Sequence, residues 1–124
     1  MTKTPFILIV EDDAWLAEHY VRLLQAAGMT ASVVPHALAA IDAIDERMPD
    51  VLLLDVMLAG PNAFTLLHEL HSHEDLATIP VVLCTNSADN LIAEDMAVYG
   101  IREVLDKATM QPTDVVAAIK RIIL

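Results

Sequence analysis

Short runs of uninterrupted apolar residues alternate along this chain with longer stretches in which apolar positions recur every three or four residues. Phe6, Ile7, Leu8, Ile9 and Val10 form the first run, bounded by Pro5 and by Glu11, Asp12 and Asp13. A strand covered on both faces has this pattern, because neither side of it meets water. Leu16, Tyr20, Leu23, Leu24 and Ala27 then share one helical face, and Gly28 supplies a C-terminal stop. Residues 30–34 read as a second strand. Leu38, Ile41, Ile44 and Met48 return to helical spacing, with Pro49 at the exit. Residues 51–54 form a third buried strand, and Pro61 with Asn62 opens a helix carrying Phe64, Leu67 and Leu70. Residues 81–84 are a fourth strand, 88–99 a helix stopped by Gly100, and 103–105 a short fifth strand. Pro112, suited to a first helical position, opens a last helix with Val115, Val116, Ile119, Ile122 and Ile123.

Five strand–helix pairs with short connections predict an α/β fold: a doubly wound, five-stranded parallel sheet with five helices, as one domain over 1–124. Ligands of such sheets sit beyond the carboxyl ends of the strands, where the strand order switches. Chemistry is therefore sought at strand ends.

Composition narrows the classes. Of 124 residues, 56% are hydrophobic but only 4% aromatic, so Leu, Ile, Val, Ala and Met must build the core. A chain of this size can do that without disulfides, and its single cysteine, Cys84, excludes an intramolecular disulfide. A net charge of −11 argues against direct nucleic-acid binding or attachment to an anionic membrane. No apolar run is long enough to span a bilayer, which argues against membrane insertion. The N-terminus lacks the layout of a signal peptide, so the expected location is cytoplasmic.

The strand ends carry a consistent set of polar groups. Glu11, Asp12 and Asp13 follow the first strand, Asp55 the third, Thr85 the fourth and Lys107 the fifth. Two carboxylates about 4 Å apart repel by about 4 kcal/mol at an effective dielectric near 20. A cluster of three calls for a cation, and all-oxygen donors with room for water suit Mg²⁺. Cys84 should point away from Thr85 along its strand, so it is not expected to be a ligand. Each residue also has a plainer role. A strand-end Asp often caps a helix, as expected of Asp13, and a strand-end Thr often bonds to backbone. His68, His71 and His73 have a partly metal-like spacing, but with Glu69 and Glu74 between them they read as a solvated helix end.

Ile9-Val10-Glu11-Asp12-Asp13, then Leu53-Leu54-Asp55, then Thr85, then Gly100 to Lys107, resembles the receiver domain of two-component response regulators over essentially the whole chain. The resemblance implies a flavodoxin-like (βα)5 sheet of order 2-1-3-4-5. It implies that Asp55 accepts a phosphoryl group from a sensor histidine kinase or a phosphotransfer protein. Asp12 would then bind Mg²⁺ directly, Glu11 through water, and Met57 through its backbone carbonyl, with Asp55 as a further ligand. Thr85 and Lys107 would bind the phosphoryl oxygens. Such a domain is a phosphoacceptor that assists its own phosphorylation and dephosphorylation rather than an enzyme. It signals through an altered face toward a downstream protein, with a homodimer as a further option. The expected face is 88–99, the fifth strand and the last helix. With no output segment after Leu124, the expectation is a stand-alone receiver.

Several positions depart from the family pattern. Val104 stands three residues before the lysine, where an aromatic or histidine is usual, and Ala108 follows the lysine in place of a cis proline. A cis bond before a non-proline residue costs roughly 2.5–4 kcal/mol, so Lys107–Ala108 is expected to be trans. Asn86 replaces a small residue after Thr85, while Ala59, Gly60, Pro61 and Ala63 rewrite the loop after Asp55. Met57 and Ser87 occupy the positions that influence the hydrolytic water, and Met57 cannot orient water, which predicts slow self-dephosphorylation. These departures also motivate an alternative, a phosphorylation-independent pseudo-receiver acting as an interaction module. A small Mg²⁺-dependent phosphohydrolase fits less well, because Met57 is not an acid or base.

Overall fold

In the computed structural model, which describes residues 4–55, 61–74, 76–85 and 98–123, Phe6–Val10 is a strand buried along its whole length (β1). Its start is clamped by Asp50. The Asp50 carboxylate accepts from the Phe6 N–H at 2.7 Å, and the Asp50 N–H donates to the Phe6 carbonyl, also at 2.7 Å. Asp13 caps the next helix, Ala14–Ala26 (α1), as its residue type predicts: Oδ1 accepts from the N–H groups of Trp15 and Leu16 at 3.0 and 3.1 Å. The helix ends in a Schellman turn, with Gly28 N–H donating to Gln25 O and Met29 N–H to Leu24 O. That turn puts Gly28 at φ +86°, where a side chain would be strained.

The second strand, Thr30–Val34 (β2), lies at the sheet edge and is mostly exposed. Helix α2, Ala37–Glu46, is capped by His36, whose Nδ1 accepts from the Ala39 N–H. Here the expected inward face needs correction. Ala40 and Ile44 are buried and Ile41 packs against them, whereas Leu38 is 73% exposed and Met48 44%. Strand β3, Val51–Asp55, is fully buried. Pro61–His71 forms α3, whose buried residues include Leu66, Leu67 and Leu70; the side chain of Phe64 lies outside the described residues. His68, Glu69, His71 and His73 are exposed, as a solvated helix end should be. A 3-10 turn over Leu76–Thr78 leads to β4, Val81–Thr85. The helix expected over 88–99 falls almost entirely outside the described residues. Strand β5, Ile101–Asp106, is longer than its apolar core suggests, and Pro112–Ile123 forms α4.

All strand pairs are parallel and the sheet order is β2-β1-β3-β4-β5. Side-chain alternation divides the core into two layers. Leu8, Val10, Leu52 and Leu54 face α2 and α3, while Ile7, Ile9, Val51 and Leu53 face α1 and α4. Leu54 is wholly buried at the centre of the first layer. Leu54→Ala is expected to cost about 2–5 kcal/mol. A urea titration checks this, with a lower midpoint at unchanged slope.

Candidate functional site

Parallel pairing brings the carboxyl ends of three buried strands level. Val10 lies opposite Leu54, Leu54 opposite Leu83, and Asp55 opposite Cys84. Glu11 and Asp55 each continue the alternation of the α1/α4 layer, after Ile9 and Leu53. The buried polar residues among those described are all at this edge: Glu11 is 3% exposed, Asp55 5% and Thr85 3%. A protein puts carboxylates there only where something compensates their lost hydration.

Lys107 provides part of that compensation. Its ammonium forms an ion pair with Asp55 Oδ2, and its Nζ lies 3.6 Å from Glu11 Oε1. The backbone around it is anchored to the neighbouring strand, with Lys107 N–H donating to Thr85 O at 3.0 Å. Burial alone would lower the Lys107 pKa. The hydrogen bond and charge of Asp55, with the charge of Glu11, outweigh that and raise it, so Lys107 stays cationic.

Glu11 shows the opposite balance. Burial, then the hydrogen bond and charge of Asp55, push its carboxyl up to about 7, against the smaller opposing effects of Lys107 and the Asp13 N–H. Its Oε2 accepts from Asp13 N–H at a long 3.4 Å, and its buried Oε1 has no hydrogen-bond partner. One lysine therefore does not neutralise the pair. Cys84, on the neighbouring strand, stays a neutral thiol: burial, then the charge of Asp55, push its pKa up to about 12.

The structure thus brings Glu11, Asp55, Thr85 and Lys107 to one edge, while Asp12 is exposed beside them. Met57 lies outside the described residues, as do Asn86, Ser87, Ala59 and Gly60. Among the described residues no three His, Cys, Asp or Glu side chains are already gathered around one point. The donor chemistry nonetheless suits a hard divalent cation, because the acids are oxygen donors and Glu11 Oε1 is buried without a hydrogen-bond partner.

Two of the departures from the family pattern are visible, and the first is as expected. No cis peptide occurs among the described residues, so Lys107–Ala108 is trans. Val104 is half-buried and packs against the α2/α3 layer, where a β-branched side chain has little freedom to swing. One feature escaped the sequence reading: Asp106 accepts the Ala108 N–H on its side chain. An Asp two residues before a non-proline at a strand end is the signal for such an Asx turn.

Among known proteins, the chain is 30% identical over 121 residues to the transcriptional regulatory protein BaeR of Escherichia coli, covering 98% of this chain and 49% of BaeR. It is 32% identical over 106 residues to the DNA-binding response regulator MtrA of Mycolicibacterium paratuberculosis, covering 86% of this chain and 44% of MtrA. The chain thus spans about half the length of these curated relatives. A crystal structure of a candidate response regulator from Chloroflexus aurantiacus matches with TM-score 0.79 at 30% identity, over 97% of this chain and 98% of that one. The CheY-like receiver domain from Methylobacillus flagellatus shares the fold, with TM-score 0.80 at 22% identity over 97% and 99% of the two chains. The family model for the response regulator receiver domain matches residues 7–120, and with the sheet order and the acidic edge already in place, this chain belongs to that family.

Proposed function

We propose that residues 1–124 form one receiver domain that accepts a phosphoryl group on Asp55 from a phosphohistidine of a sensor kinase or phosphotransfer protein. The observation that carries this reading is the buried Asp55 carboxylate held by Lys107 beside the under-neutralised Glu11. In the transfer, an Asp55 oxygen bonds to phosphorus as the phosphorus–nitrogen bond breaks, and the imidazole nitrogen keeps the electron pair. Glu11, Asp12, Asp55 and the Met57 carbonyl are the oxygen donors that would hold Mg²⁺, which would cancel charge on the phosphoryl oxygens. Lys107 keeps its proton and passes from the carboxylate to a phosphoryl oxygen, and the Thr85 hydroxyl offers a directed donor.

The acyl phosphate adds about −1.5 to −2 charges at the strand edge. In this reading it draws on Thr85 and Lys107 and changes the face used by a downstream protein, or by a second copy of the chain. A bulky swing at Val104 is not part of the switch. The domain's own charge of −11 does not favour DNA contact. No helix among the described residues is long and apolar enough to cross a membrane, which fits the cytoplasm, where kinases would meet it.

Incubation with acetyl phosphate and Mg²⁺, read by intact mass, tests the proposal. One phosphoryl adduct is expected, dependent on the cation. No adduct from acetyl phosphate or from any kinase would favour the phosphorylation-independent module, and rapid multiple turnover would favour a phosphohydrolase. The adduct is further expected to be long-lived. Met57→Asn, which offers a polar group to orient water, should speed its decay several-fold in a mass time course; unchanged decay would remove Met57 from the account.

A further inference from the structure

Strand β5 is the sheet's outer strand on this side, paired only with β4. Its register shifts by one residue near its start: Val81 lies opposite Ile101, but Val82 lies opposite Glu103. As a result Asp106, the last residue of β5, sits opposite Thr85. Lys107 is the first residue beyond the strand, and its own N–H makes the bond to Thr85 O at 3.0 Å. After it the chain turns, and three successive N–H groups all return to Asp106. Ala108 N–H donates to Asp106 Oδ1 at 2.9 Å, Thr109 N–H to Asp106 O at 3.1 Å, and Met110 N–H to the same oxygen at 2.8 Å.

We propose that Asp106 is the positioning residue for Lys107: its side-chain acceptor locks the turn that aims the lysine at Asp55. Lys107 is fixed from both sides. Thr85 O holds its amide on the strand side, and Asp106 Oδ1 holds the amide that follows it on the turn side. A long, flexible lysine has many rotamers, so a pinned backbone at its root limits where its ammonium can lie. The device needs a donor at residue 108, which alanine has and proline would lack. It does not work through charge, because the ion pairs of Lys107 among the described residues are with Asp55 and Glu11.

The importance of Lys107 for phosphoryl transfer rests on the proposed function, so the test has one arm that needs no phosphate. Lys107 is one of three lysines, with Lys3 and Lys120, and its labelling by limiting acetic anhydride can be followed by peptide mapping in the unphosphorylated protein. Asp106→Ala is expected to raise Lys107 labelling several-fold while leaving Lys120 unchanged. Asp106→Asn, which keeps the acceptor without the charge, should restore parental labelling. Asp106→Glu, which keeps the charge but moves the acceptor, should resemble the alanine variant. In the second arm, with acetyl phosphate and Mg²⁺, the maximal rate of adduct formation should fall about tenfold in the Ala and Glu variants and recover in Asn, because small misplacements of a catalytic group are costly.

Parental labelling in both the Ala and Glu variants, or a labelled-fast Asn variant, overturns the proposal. If the Ala variant does not fold, the contrast between Asn and Glu decides alone. If the parent takes no phosphate, the functional reading fails while the labelling arm still tests the lock.

Discussion

Asp55→Asn is expected to gain no phosphoryl group from acetyl phosphate and Mg²⁺ under conditions that give the parent one. An amide lacks the anionic oxygen needed to attack phosphorus, so the loss should be complete rather than partial. The substitution is isosteric, and Asn keeps an oxygen that Lys107 can reach in place of the present ion pair. The variant should therefore remain folded, which a melting curve verifies. Asp12 is the exposed rival acceptor, the residue after Glu11 in the chain. An equal adduct in the Asn variant would move the chemistry there and remove Asp55 from its role.

The second large effect concerns stability in the absence of a cation. Glu11 has a carboxyl pKa of about 7 in the folded chain against an ordinary 4.5. Below pH 4.5 it is protonated in both states and folding loses nothing by burying it. As pH rises from 4.5 through about 7, the unfolded chain sheds the proton first, so folded stability falls across this window and then levels off. The full cost is about 2–3 kcal/mol once both states are ionised. The raised pKa of Lys107 does not interfere, because that ammonium is charged in both states throughout the window.

Glu11→Gln should abolish the fall. In EDTA at pH 8 it is expected to be more stable than the parent by about 2 kcal/mol, and at pH 4.5 no more stable, as urea titrations at the two pH values would read. Mg²⁺ should raise the parent's stability at pH 8 by binding only the folded state, and do so much less for Glu11→Gln. A parent with flat stability between pH 4.5 and 8 would show that the acidic edge stores no such strain.

The strands were legible because a fully buried strand leaves no polar position: Phe6 to Val10 and Val51 to Leu54 can be little else. Asp55 was legible for a related reason, since a carboxylate directly after such a run must sit at the sheet's edge. The helix faces were harder to read. Leu38 and Met48 lie at helical spacing with Ile41 and Ile44, yet Ala40 takes the inward place. Close packing of a helix on a sheet rewards a small side chain as much as a large one, and a count of large apolar residues misses that. Ala17 and Ala118, also wholly or nearly buried, make the same point. The turn after Lys107 was out of reach because it depends on which N–H finds the Asp106 carboxylate. Sequence shows the acceptor but not the pairing.

The two halves of the site also live on different parts of the sheet. Asp55 ends β3, an interior strand bonded on both sides and buried throughout, whereas Lys107 follows β5, an edge strand whose residues beyond Ile101 are partly or wholly exposed. Breathing motions start at edges, where few bonds must break, while interior strands open only when the whole domain does. Asp55 therefore keeps its place through fluctuations that release the lysine. The site can lose and regain its cation on the time scale of a local opening, without unfolding the surface on which a phosphate would be carried.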